Sequence, residues 1–150
     1  MRYKTPKLLS LLLLTFSLNA NAVTYNPETN YMLRCLGCHG QDGTGSERGG
    51  IPNFQDYVAS FSTTSMGRQY LMHVPGVISS SLTDSEIAEV MNYIMRHWGG
   101  ESLPENFKPF DTAEVSQLRK TEIKDVVAYR RLVVDEIEKA GLPVAPYPWP

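Results

Sequence analysis

The chain has 150 residues, with 14 Lys and Arg against 16 Asp and Glu and a formal net charge of −2 at pH 7. That balance sets aside a nucleic-acid-binding role, which needs a basic surface. The length leaves room for one domain with a real core, and no internal repeat is visible.

The N-terminus reads as a leader. Arg2, Lys4 and Lys7 form a basic region, Leu8 to Leu18 is an apolar run broken by Ser10, Thr15 and Ser17, and Ala20-Asn21-Ala22 offers an A-x-A cleavage site. An apolar core of 11 residues is too short to span a bilayer. The expected mature protein is residues 23–150, soluble, exported and periplasmic; an uncleaved N-terminal anchor is the alternative. Removing the leader takes away three positive charges and brings the net charge to −5. Residues 23–111 hold 5 Lys and Arg against 10 Asp and Glu, whereas residues 112–150 hold 6 of each, so the net negative charge lies in the first part.

Asn26-Pro27-Glu28 has the form of a helix start, with Asn at the N-cap, Pro at N1 and an acid in the first turn. The helix is expected to run through Tyr31, Met32 and Leu33 to Cys35-Leu36-Gly37-Cys38-His39 and to stop near Gly40. C-x-x-C-H is the attachment signature of a c-type haem. On one helical turn the two thiols can each form a thioether with one porphyrin, and the next residue supplies an imidazole to the iron as its proximal ligand. A redox disulfide, half of a zinc site or a structural bridge are the other readings of such a pair. No strand precedes Cys35, His73 and His97 are not at ligand spacing, and the chain has no further cysteine. Cys35 and Cys38 are therefore the candidate haem-binding residues, and His39 is the candidate iron ligand. Export and covalent haem attachment imply each other, because attachment in bacteria takes place outside the cytoplasmic membrane.

A glycine-rich loop, Gly40 to Gly50, follows. Its Gln41-Asp42-Gly43-Thr44-Gly45 lacks the Lys-Ser/Thr of a phosphate-binding loop and follows no strand. Ile51-Pro52-Asn53-Phe54 is expected either against the porphyrin edge or as an ordinary turn with a core Phe. Thr83-Asp84-Ser85-Glu86 is a capping box, and Ile87, Val90, Met91, Ile94 and Trp98 behind it recur at three- and four-residue steps until Gly99-Gly100. After Leu103-Pro104, Asp111 or Thr112 caps a short helix. Thr121 is expected to start a longer one carrying Ile123, Val126, Val127, Val133, Val134 and Ile137, with Gly141-Leu142-Pro143 as its stop. Pro143 to Pro150 reads as an extended, proline-rich arm. Strand signal is scarce, so the predicted class is all-α: leader 1–22, haem domain 23–100, helical extension 101–142 and tail 143–150.

From Tyr31 to Trp98 the order of elements resembles the class I monohaem cytochrome c family. Leu82, Thr83, Asp84, Glu86 and Ile87 match its closing-helix motif, and Cys38 to Gly40 with Asp42 to Gly45 match its Cys-His-Gly and Asp-Gly-x-Gly. The likeness covers about half of the chain. It implies two crossed helices beside one haem c and electron transfer as the function. The section after Gly100 lies outside the minimal family fold and is assigned to docking or to shielding one haem face. The family's distal ligand is usually a Met followed by Pro, ahead of the closing helix. Here Val74 precedes Pro75, and valine cannot bind iron. Met72, two residues earlier and so on the same side of an extended segment, is the favoured distal candidate. His73 is the alternative, an open or weakly occupied sixth position a third. Met66, Met91, Met95 and His97 are more simply packing or surface residues.

No acid, base or nucleophile constellation stands out, since Asp84 and Glu86 belong to a helix cap and Ser79 to Ser81 have no partnered His. The expected function is a periplasmic electron carrier for redox proteins that present a basic patch. The alternatives are ligand sensing or peroxidase-like catalysis at an open iron, and a fixed haem subunit of a larger dehydrogenase complex.

Overall fold

The computed structural model describes residues 24–147. The leader and the last three residues of the tail lie outside them. The described residues are helical: α1 (Pro27–Arg34), α2 (Leu36–His39), a 3-10 turn (Val58–Ser62), α3 (Ser65–Leu71), α4 (Pro75–Ile78), α5 (Asp84–Trp98), a second 3-10 turn (Gly100–Ser102), α6 (Thr112–Arg119) and α7 (Val126–Lys139). The only β-type pairing among them is an isolated bridge between Ser46 and Ile51. No helix of the described residues is long and apolar enough to cross a membrane.

The start of α1 is as its sequence predicts. The Asn26 side chain accepts from the Thr29 amide, and Pro27 occupies the first turn, where its missing N–H costs nothing. The expected continuous helix to Gly40 is two runs that share Cys35 as a cap, and Gly40, at φ 76°, ends the second. Thr83 and Glu86 form the reciprocal capping box of α5. Ile87, Val90, Met91, Ile94, Met95 and Trp98 of α5 are all buried. α1 lies against α5 through Tyr31, whose ring centroid is 4.5 Å from that of Trp98 and 6.1 Å from that of Tyr93.

The stretch between the glycine loop and α5 departs from expectation. Residues 70–73 are not extended: Met72 has φ −77° and ψ −8° and caps α3. Two features force the turn. Thr64 caps the helix by accepting from the Gly67 amide, and Gly67 sits so close to the Phe61 carbonyl that a Cβ would collide with it. Pro75 then drives Val74 out of the helical region, to ψ 141°, and itself begins α4.

In the C-terminal part Asp111, not Thr112, is the cap of α6, accepting from the Glu114 amide. The expected helix start at Thr121 is corrected to Val126, because Asp125 supplies the capping oxygen to Ala128. Val115, Val133 and Ile137 are fully buried against the rest of the chain. Polar side chains of α3 hold this part in place. Arg68 donates through Nε and Nη2 to the two carboxylate oxygens of Glu114 at 2.6 and 2.7 Å, and through Nη1 to the carbonyls of Ser62 and Lys108. Its guanidinium lies 3.7 Å from the Phe110 ring centroid. Gln69 donates to the Leu118 carbonyl at 2.9 Å. The tail is docked as far as it is described: Ser60 donates to the Pro143 carbonyl, Ala145 is buried, and Arg130 lies over the Tyr147 ring.

Candidate haem site

Cys35 and Cys38 are both unpaired thiols; Cys38 is exposed and Cys35 half-buried. The amides of Cys38 and His39 both bond to the Cys35 carbonyl, at 3.1 and 3.0 Å, so one turn carries the whole motif. Burial, with Cys38 beside it, pushes the Cys35 thiol up to about 11, so it remains protonated at neutral pH. Burial also pulls His39 down to about 4 against the opposing pull of the Pro52 carbonyl, which keeps the imidazole neutral with a lone pair to offer. His39 Nδ1 is buried and has no hydrogen-bond partner of ordinary geometry.

The residues after the motif hold this turn in place. The His39 ring stacks on Phe54, with centroids 3.9 Å apart and planes 19° from parallel. The Gly45 amide bonds to the His39 carbonyl and the Phe54 amide to the Gly43 carbonyl. The Tyr31 hydroxyl donates to the Gly40 carbonyl at 2.6 Å, and burial raises that phenol to about 12, so it stays a donor. Gly43 has φ 75°, and a Cβ there would come within 2.9 Å of the Trp98 ring. Gly43→Ala should cost about 1–3 kcal/mol through strain and overpacking. Urea unfolding of the haem-loaded protein checks this, and an unchanged midpoint would refute the close contact.

The structure brings Cys35, Cys38 and His39 together on one turn. Met72 is 0% exposed and belongs to the core. His73 is engaged at both ring nitrogens: Nδ1 lies 2.8 Å from the Gln69 carbonyl and Nε2 2.6 Å from that of Thr121. Met91 and Met95 are buried in α5, Met66 packs partly buried against the core, and His97 is exposed and stacked on Tyr93. Sequence reasoning missed Tyr31 as the residue that joins α1, the loop and α5. The aromatic at the position four before the first cysteine was the available signal.

No protein-family model matches the chain. It is 35% identical over 118 aligned positions to cytochrome c-552 of Thermus thermophilus, a match that takes in 65% of this chain and 89% of that protein. A second Thermus thermophilus protein of the same name, from another strain, matches with the same identity over 79% of its length. The chain belongs to the class I monohaem cytochrome c family. Of the cytochrome's 150 residues, 65% is about 98, against 118 aligned positions, so about 20 positions of the relative have no counterpart here.

Membership implies a covalently bound haem c, and the residues fit it. Two free thiols lie on one turn, next to a neutral imidazole with an orphaned nitrogen, and no metal-holding group of three or more His, Cys, Asp and Glu occurs among the described residues. Cys35 and Cys38 would hold the porphyrin and His39 its iron. When bound, the haem supplies a one-electron couple. The cytochrome's own contribution is to keep His39 unprotonated, to fix its ring between Phe54 and the Pro52 side, and to exclude water from Nδ1.

Proposed function

We propose that this cytochrome is exported to the periplasm and carries single electrons between redox proteins through a haem attached at Cys35 and Cys38 and ligated by His39. The observation that supports it best is the turn on which two free thiols are followed directly by a half-buried imidazole whose Nδ1 is enclosed. Nothing in the site calls for acid–base work: Glu86 is held in its helix cap, and Ser80 donates to the Val77 carbonyl.

The docking partner follows from charge. Residues 23–111 carry 5 positive and 10 negative side chains, a net −5, around the haem motif. A transient encounter steered by this field requires a partner with a basic patch. The rate of electron transfer to a basic redox protein should fall steadily as ionic strength rises, because screening shortens the reach of the field. Stopped-flow oxidation of the reduced, matured protein across a salt series measures it. A rate independent of salt would overturn the acidic docking face, and failure of the reduced protein to pass electrons on would overturn the carrier reading.

A further inference from the structure

We propose that the basic redox partner docks at the cleft between the start of α1 and the last turns of α5, and that Trp98 and Phe54 couple this face to His39. The proposal rests on the carrier reading and on His39 as the iron ligand.

The path is a run of ring contacts. His39 lies against Phe54, with centroids 3.9 Å apart, and Phe54 is 6.1 Å from Trp98. Trp98 in turn meets His97 edge to face at 4.5 Å and Tyr93 at 5.7 Å. Tyr93 and His97 stand four residues apart on α5 and so share a face, their rings 5.2 Å apart and 20° from parallel. The run begins at a half-buried imidazole and ends at an exposed one. Its midpoint is fixed from several sides: Trp98 is buried, the Tyr31 ring lies 4.5 Å away, and Gly43 leaves no room for a Cβ beside it. Among the described residues no other run of ring contacts leads from His39 to the surface.

The exposed end of the run is a cleft. Pro27, Glu89, Asn92, Tyr93, Arg96 and His97 line an open recess of about 410 Å³. Asn92 exchanges two hydrogen bonds with the Phe110 backbone, and Arg96 leans toward Phe107, its guanidinium 5.5 Å from that ring centroid. Ring surface from Tyr93 and His97 is left facing outward between carboxylates. Glu89 is part of the wall, and burial together with the carboxylate of Glu28 raises the Tyr93 phenol, which puts Glu28 beside it. Neither Glu28 nor Glu89 has an ion-pair partner among the described residues. Conjugated surface flanked by unpaired acids fits a redox protein that rings the edge of its own redox group with lysine or arginine. In the transfer the haem iron gives up one electron and the partner's redox group takes it. Trp98 and Phe54 are neither oxidised nor reduced; they fill the gap with closely packed, conjugated matter.

The test uses the matured, haem-loaded protein and two cationic probes. Hexaamminechromium(III), paramagnetic and redox-inert, should broaden the amide resonances of Glu28, Glu89, Tyr93 and His97 in the reduced protein. Hexaammineruthenium(II) should reduce the oxidised wild type in stopped flow, ruthenium losing the electron that the iron gains. Glu89→Lys should abolish the broadening and slow the reduction about fivefold or more at low ionic strength. Glu138→Lys makes the same change of charge on α7 and should alter the rate less than about twofold. Trp98→Leu should slow the reduction while the broadening and the reduction potential stay in place. His97→Leu, at the exposed end of the run, should slow it too, and it decides the coupling if Trp98→Leu does not fold. Broadening centred on Met32 and Cys38 instead, or equal losses of rate from Glu89→Lys and Glu138→Lys, would overturn the docking face. Unchanged rates in the Trp98 and His97 variants would overturn the coupling. An oxidised wild type that hexaammineruthenium(II) does not reduce would overturn the carrier reading itself.

Discussion

Arg68→Ala should destabilise the folded protein by about 1.5–3 kcal/mol, the loss of charge-assisted hydrogen bonds to Glu114, which is half-buried and keeps only Lys108 at 3.8 Å. The pair is set apart from ordinary surface ion pairs by its surroundings. Arg68 is 8% exposed, its fork meets both oxygens of Glu114, and its third nitrogen bonds two backbone carbonyls. Stacking on Phe110 adds a contact that lysine cannot copy, so Arg68→Lys should recover little. By contrast, breaking the more exposed pair between Arg119 and Asp84 should cost at most about 1 kcal/mol. Guanidinium unfolding followed by circular dichroism gives all three values. Equal losses for the Arg68 and Arg119 variants would refute the ranking.

The second large effect is on the haem. Cys35→Ala combined with Cys38→Ala should abolish covalent attachment, so that acidified acetone extracts every haem and the intact mass equals that of the polypeptide alone. Each single variant should keep one thioether and, with it, a mass one haem higher. The expectation follows from the single turn that presents both sulfurs, with no other cysteine among the 150 residues to substitute for either. A double variant that retained haem through acid extraction would mean that attachment runs through some other side chain.

What could be read from the sequence was local. Caps at Asn26 and Thr83, the apolar stripe of α5 and the C-x-x-C-H turn depend on residues three or four positions apart, and all are present as expected. The misreadings came from long-range partners. A segment ending in Val-Pro-Gly reads as extended, yet residues 65–71 are helical because Gly67 fits under Phe61 and because α6 and α7 cover one side. Thr121 has the composition of a cap, but its carbonyl faces His73 and the helix waits for Asp125. Periodicity could place Met72 near Pro75. It could not show that its neighbours Arg68, Gln69 and His73 are held by Glu114, Leu118 and Thr121, more than forty residues downstream.

That separation sets an order of assembly. Arg68, Gln69 and His73 find their partners 46, 49 and 48 residues later, so α3 cannot finish packing until residues as far as Thr121 have folded back onto it. Closing loops of that length is slow compared with forming a helical turn. Cys35 and Cys38 take no part in those distant contacts. The turn that presents both thiols can therefore form before the C-terminal helices close over α3.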